Sequence, residues 1–428
     1  MSTARNLYKD GVDFTTLALQ SPDFARYLKP NNQLDFTDPN AVRQLTVSLL
    51  QRDFGLKVDI PEARLCPPVP NRLNYILWIQ DLLDTTGDGY EDIYDPDRAT
   101  TGLDIGTGCC SIYPLLGAKL RPNWHFIASD IDDENIRTST RVISENGLES
   151  RIRIVRTSPN DTLIPLNKDL GVERFDFTMC NPPFYSSQSE MIASAEEKDR
   201  PPFSACTGAE VEMVTEGGEV SFVSRMIDES LQLREKVQWY TSMLGKLSSV
   251  SVLVEKLMAL GNHNYAVTEF IQGNKTRRWA IAWSWADLRP TVAVARGISS
   301  FPKHLLPFPS EYTFELPSSS IDDTGKALNA EISALHIHWT WHPDLATGIG
   351  FASENVWSRQ YRRKMKISES QEKPEVDEKT VTLGFKISLS MDPIGETALG
   401  VVVRWLKGTD TVLFESFCGM VKRKLEGR

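Results

Sequence analysis

Thr101-Gly-Leu-Asp-Ile-Gly-Thr-Gly-Cys-Cys-Ser-Ile-Tyr113 is the stretch on which the fold turns. It reads as a strand ending at Asp104, a glycine-rich turn through Gly106 and Gly108, and the start of a helix. Glycines there let backbone approach a ligand closely, and a helix N-terminus offers free N–H groups to an anion such as a carboxylate. Ser111 stands where a dinucleotide fingerprint has its third glycine, which weakens a pyrophosphate reading. Downstream the rhythm continues: a strand His125–Asp130, a helix over 132–146, and strands at 151–156 and Phe175–Cys180. A helix at 218–235, a strand Gln238–Leu244 and a helix at 249–260 follow, then two β-type runs, 264–272 and 278–285, around Gly273-Asn274. The alternation predicts an α/β fold with a parallel sheet covered on both faces and closed by a hairpin.

The flanks read differently. Residues 1–72 form an N-terminal helical module, with a helix from Ala41 to Phe54 started by Asp38-Pro39 and a proline-dense close at 60–72. The α/β domain is expected over 73–290, a linker over 291–310, and a small α+β domain over 311–428. In that last domain we expect β-type runs at 331–341, 379–390 and 398–405, a strand at 411–414 and a helix at 415–426. Gln371–Glu378 reads as a charged loop.

Composition narrows the function classes. The 428 residues carry 47 basic against 57 acidic side chains, a formal charge of −10, which argues against a protein that coats nucleic acid over its whole surface. A local basic groove remains compatible. No apolar run approaches the roughly 18 residues of a membrane-spanning helix, and the N-terminus lacks the core of a signal peptide, so an intracellular protein without a membrane partner is expected. Six cysteines without a C-x-x-C pair suggest reduced thiols and no metal centre. His336, His338 and His342 lack a completing cysteine or carboxylate and read as packing residues.

Two further strand ends carry chemistry. Asp130 follows Asp104 by 26 positions and can accept from a ribose diol, or simply cap the next helix. Cys180-Asn181-Pro182-Pro183-Phe184 closes the following strand. The prolines fix the backbone, so the Asn181 side chain and the Pro182 carbonyl can both accept from an amine, and Phe184 offers a stacking face for a planar base. An exocyclic amine is a weak nucleophile because its lone pair is delocalised. Two acceptors on its hydrogens favour pyramidalisation as it attacks a sulfonium methyl. The combination points to methyl transfer onto a planar amine.

Several longer motifs resemble the U6 small nuclear RNA adenine N6-methyltransferases: Ala4–Asp10, Phe54-Gly55-Leu56, Asn71–Trp78, Asp104–Gly117, Asn181–Phe184, Glu216–Val223, Trp239–Lys246 and Thr268–Trp285. The likeness runs from about residue 4 to 286 and extends to bacterial ribosomal RNA adenine methyltransferases. It implies a Rossmann-like class I methyltransferase sheet, S-adenosylmethionine as cofactor, a structured RNA (foremost U6 small nuclear RNA) as partner, and a nuclear location. By position, Arg72, Asp104, Gly106, Gly108, Cys110, Asp130, Thr162 and Asn181 would hold the cofactor, and Asn181, Pro182, Pro183 and Phe184 the target adenine. Arg5, Lys9, Lys246, Arg277 and Arg278 would contact RNA. Cys110 replaces a serine of relatives, Asp130 a glutamate, Leu7 a basic residue, and Asp161 a lysine of animal members beside Thr162.

Other features are less specific. Arg200-Pro-Pro-Phe203 lies in a polar segment that can cover the target nucleotide or be plain surface. Trp357–Lys366, with Arg362, Arg363 and Lys364, interleaves aromatic and basic residues, as phosphate pairing with base stacking requires, or as a solvated face does. The C-terminal domain distantly resembles the kinase-associated type of RNA-binding module. Two other functions compete with adenosine methylation: methylation of a glutamine side chain in a protein, and an RNA-binding factor whose bound S-adenosylmethionine signals rather than reacts.

Overall fold

The computed structural model describes residues 2–166, 170–191, 208–272, 276–317, 320–367, 380–391 and 398–427. Arg200 and the Gln371–Glu378 loop lie outside the described residues, as does the Lys364 side chain. The chain divides into two compact units, one of residues 1–84, 93–286 and 296–306, the other of 85–92, 287–295 and 307–428.

The first unit is built on eight strands: β1 (Thr100–Ile105), β2 (Trp124–Asp130), β3 (Ile152–Arg156), β4 (Phe175–Cys180), β5 (Val237–Leu244), β6 (Tyr265–Gln272), β7 (Thr276–Trp283) and β8 (Arg296–Gly297). Their order is β3-β2-β1-β4-β5-β7-β6-β8, parallel through β5, with β7 antiparallel to both β5 and β6. This is the expected α/β sheet closed by a hairpin. Every residue of β5 is buried, as a strand covered on both faces must be. On one face Val223, Met226 and Ile227 of the Gly218–Leu233 helix and Leu253 and Leu257 of the Leu247–Ala259 helix pack against Leu103, Phe175 and Tyr240. Burial of this kind is worth roughly 1.5–3 kcal/mol per large aliphatic side chain.

Local signals start and stop the helices where they fall. Asp38 accepts from the Asn40 N–H, Pro39 takes the first turn, and the helix Pro39–Phe54 ends at Gly55 in the left-handed region. Asp132 accepts from the N–H groups of Glu134 and Asn135 and opens the helix Asp133–Glu145. The proline-dense stretch ends earlier than expected: a helix Val69–Asp84 runs unbroken through residue 72 and is buried on nearly every side. The expected linker over 291–310 is packed structure. Within it β8 pairs with β6, and Ile298, Phe301 and Leu305 join the core of the first unit.

The second unit is an antiparallel sheet of β9 (Glu311–Leu316), β10 (His338–His342), β11 (Thr347–Ala352), β12 (Leu383–Met391) and β13 (Leu399–Lys407), in the order β10-β11-β12-β13-β9. Helices Ile321–Ser333 and Thr411–Leu425 supply Leu328, Ile332, Phe414 and Phe417 to a core with Phe385 and Trp405. Two expectations fail here. The strand expected at 411–414 is the first turn of the last helix, because the Asp410 carboxylate caps the Leu413 N–H at 3.0 Å and overrides the β-branched composition. The β-type run expected over 331–341 is helix to Ser333 and strand only from His338. On β10 the Trp339 and Trp341 side chains pack toward the core while His338 and His342 are exposed, although the His338 ring lies 6.4 Å from that of Phe351 and the His336 ring 6.0 Å from that of Tyr361.

Candidate active site and cofactor cavity

β1 lies between β2 and β4, with Ile105 in register with both Ser129 and Cys180, so the residues that follow these three strands emerge at one end of the sheet. That is where ligands bind in open α/β sheets. A cavity of about 230 Å³ opens there, lined among others by Arg72, Gly106, Gly108, Cys110, Asp130, Thr162, Asn181, Pro182 and Pro183. Residues scattered over more than a hundred positions thus meet in one place. Gly106 and Gly108 have φ of 71° and 70°, a region that disfavours side chains, and this turns the backbone across the cavity mouth.

Asp104 does not line the cavity. It is fully buried beneath the turn and accepts from Thr107 Oγ1 at 2.7 Å. Burial pushes its carboxyl up to about 7, reinforced by Asp130 and opposed by Thr107 and Arg72. Its Oδ2 holds Thr107 of the glycine turn, and its Oδ1 is buried without a partner among the described residues. Asp130 accepts from Gly108 N–H and Asp132 N–H, both at 2.9 Å, with Asn135 Nδ2 at 3.5 Å from each oxygen. Its burial raises its carboxyl above the usual range. Arg72 is buried, donates to Met243 Sδ at 3.3 Å and lies 5.5 Å from the Tyr113 ring. Cys109 and Cys110 are buried free thiols, and the neighbouring Cys109 and burial raise Cys110 well above the usual thiol range.

The Asn181 side chain is different. Its buried Oδ1 accepts no hydrogen bond from any described residue, and among the cavity-lining side chains it shares that condition with Asn135 Oδ1. The strand beneath it is stiffened by side chains: Tyr75 Oη lies 2.6 Å from Thr241 Oγ1 and accepts weakly from Cys180 N–H, while Thr241 Oγ1 donates to the Thr178 carbonyl at 2.8 Å. Phe184 does not line the cofactor cavity. It lies beyond the prolines against Gly245, with the Arg278 guanidinium 5.5 Å from its ring centroid.

Sequence reading missed several residues of the site. Ile131, Asn135, Glu212 and Phe222 line the cavity, and Glu212 Oε2 accepts from the N–H groups of Leu65 and Ala209. The loop carrying Thr162 is fastened from the Gly218–Leu233 helix. Arg225 donates to the carbonyls of Pro159 and Asp161, and Glu229 accepts from Leu163 and Ile164 N–H at 3.0 Å each. Arg225 and Glu229 are an i,i+4 pair on one helix face, which is the only trace they leave in sequence.

The expected RNA contacts are spread more widely. Arg5 is fastened to Gln80 and Asp81 and lies over the Tyr94 ring. Lys9 is exposed. Lys246 pairs with Glu190 at 3.1 Å and Arg277 with Glu269 at 3.1 Å. In the second unit Arg362 and Arg363 are exposed on the helix Arg359–Ile367, but Trp357 is buried and donates to Ser416 Oγ. That tryptophan is spent on packing and cannot stack on a base.

A model of the RNA methyltransferase family matches residues 2–287. Mouse RNA N(6)-adenosine-methyltransferase METTL16 is 43% identical over 291 residues, 66% of this chain and 51% of that protein. The U6 small nuclear RNA (adenine-(43)-N(6))-methyltransferase of Schizosaccharomyces pombe is 36% identical over 396 residues, 92% of this chain and 96% of its own. The chain therefore spans about half the length of the mammalian relatives and nearly all of the fission-yeast one. Among solved structures, the human METTL16 catalytic domain in complex with a MAT2A 3′UTR hairpin is similar with a TM-score of 0.59 at 42% identity, covering 66% of this chain and 95% of that one. The human METTL16 N-terminal domain in complex with SAH gives 0.54 at 41% identity, covering 66% and 98%.

Proposed function

Because this chain belongs to the RNA methyltransferase family, we propose that it forms N6-methyladenosine in a structured RNA, with S-adenosylmethionine as methyl donor and U6 small nuclear RNA as substrate. The fission-yeast relative, matched over almost its whole length, supports that choice of RNA.

The residues fit the donor. S-adenosylmethionine, when bound, supplies an electrophilic methyl on a sulfonium. The glycine turn at 106–108 and the adjoining helix start present backbone to its charged amino-acid end. Asp130 keeps lone pairs for ribose hydroxyls although two N–H groups already bind it. Asn181 Oδ1 and the Pro182 carbonyl hold the adenosine amine at the inner end, and the target base leaves its stack to reach Phe184. The amine's lone pair is freed as its hydrogens turn toward these acceptors.

The observation that carries this reading is the buried, unsatisfied Asn181 Oδ1 at the cavity wall. The purified chain, given labelled donor and a U6 transcript, should label one adenosine as N6-methyladenosine. Asn181→Ala should lower transfer by about a hundredfold or more while sparing RNA binding, the scale of losing one preorganised polar contact. Equal loss of transfer and binding would overturn the role of Asn181, and label in protein but not in RNA would overturn the substrate. The proposed substrate also implies work in the nucleus, which imaging of a tagged chain tests.

A further inference from the structure

Glu219 takes no part in the mechanism above and does not line the cavity, yet it is 3% exposed and fully bonded. Its Oε2 accepts from Gly245 N–H at 2.6 Å and its Oε1 from Lys246 N–H at 3.1 Å. These are the last two residues before the Leu247–Ala259 helix, where unpaired N–H groups and the helix dipole favour a carboxylate. One side chain thus fixes the turn between β5 and that helix in both position and tilt.

That turn is what Phe184 rests on. A Cβ added at Gly245 would sit 2.9 Å from Phe184 Cδ1 and 3.2 Å from Glu219 Oε2, so the ring lies directly on bare backbone that Glu219 holds. The backbone of Phe184 has a second neighbour at the start of the helix that carries Glu219. A Cβ at Gly218, beside Glu219, would meet the Phe184 carbonyl oxygen at 3.4 Å. Phe184 is therefore seated from below by Gly245 and flanked by the start of the helix that carries Glu219.

We propose that Glu219 is a positioning residue for base stacking: through the Gly245–Lys246 turn it sets the height and tilt of the Phe184 ring on which the target adenine lies. The inference rests on the adenosine reading of the site. A carboxylate suits the task because it accepts from two parallel N–H groups at once. Glutamine, of the same size, would turn an NH2 toward one of those donors and release half the clamp. Alanine at 245 would press on the ring directly, at 2.9 Å from Phe184 Cδ1, and more lightly on the Glu219 carboxylate, at 3.2 Å.

The test is a double-mutant cycle on the full chain with a U6 transcript, reading kcat, the KM for S-adenosylmethionine, and fluorescence of 2-aminopurine at the methylated position. Glu219→Gln and Gly245→Ala should each lower kcat by about tenfold, within the range measured for losing one base–aromatic stack, with the donor KM unchanged. Each should also relieve the fluorescence quenching. In a Phe184→Ala background neither substitution should cost anything further, because the ring through which they act is gone. Additive losses in that background, or a lowered melting temperature with kcat and quenching intact, would make Glu219 merely structural and overturn the proposal. A wild-type chain that methylates no adenosine would instead defeat the underlying reading, so the two failures are distinct.

Discussion

The carboxyl ends of β2 and β4 flank the same central strand, yet they treat their polar side chains in opposite ways. At the end of β2 the Asp130 carboxylate is met by two backbone N–H groups and a nearby amide before any ligand arrives. At the end of β4 the Asn181 oxygen is buried with no donor from the described residues. A buried acceptor left unmade costs about 1–3 kcal/mol, whereas a satisfied one costs little. The contrast belongs to these two side chains rather than to whole ends of the cavity, because Asn135 Oδ1 beside Asp130 is also buried without a partner among the described residues.

The contrast can be broken most directly at Asn181. Asn181→Leu keeps the branched outline and the number of heavy atoms and removes the unsatisfied oxygen. We expect methyl transfer to fall by more than about a hundredfold while thermal unfolding shows a gain of about 1 kcal/mol. A loss of stability would mean that the oxygen is paired after all. Asp130→Ala should behave the other way. Its two N–H partners lose their acceptor, so stability should drop by about 2 kcal/mol, and isothermal titration should show donor affinity about tenfold weaker. Stability unchanged by that substitution would erase the distinction between the two strand ends.

A pH-dependent effect concerns Asp104, beneath the glycine turn. Its folded-state carboxyl is raised to about 7 from an ordinary 3.8, chiefly by burial. Between those values the unfolded chain releases the proton and the folded chain keeps it. The stability this group contributes is therefore full below about 4, falls as pH rises toward 7, and is flat beyond. Asp104→Asn does not titrate, so its melting temperature should gain on the wild type across that window and run parallel above it. A gain independent of pH would refute the assignment.

Much of this site is legible in the chain because backbone geometry writes itself locally. The Gly106 and Gly108 turn, the acidic end of β2 and the Asn-Pro-Pro corner each lie within a few residues of a strand end, where only certain residue types are permitted. The alternation of strands and helices over 100–285 follows from the same local rules. What escaped was long-range pairing. Nothing near Leu163 announces that Glu229 will accept its N–H, and nothing near Gly245 announces Glu219, because these partners are chosen by helix packing across tens of residues. The second unit misled for a related reason. Thr411–Phe414 has strand composition, but a single capping carboxylate at Asp410 decides for helix. Trp357 reads as a stacking residue until the last helix is seen to bury it.

The helix Gly218–Leu233 carries Glu219 at its first turn and Arg225 and Glu229 further along, so the turn beneath Phe184 and the loop carrying Thr162 hang from one rod. Inserting one residue between 219 and 229 would rotate everything beyond it by about 100° and shift it by about 1.5 Å. Both halves would then fall out of phase together. This segment should tolerate exchange of its outward side chains but no change in length, and an insertion scan would find it among the least forgiving stretches of the protein.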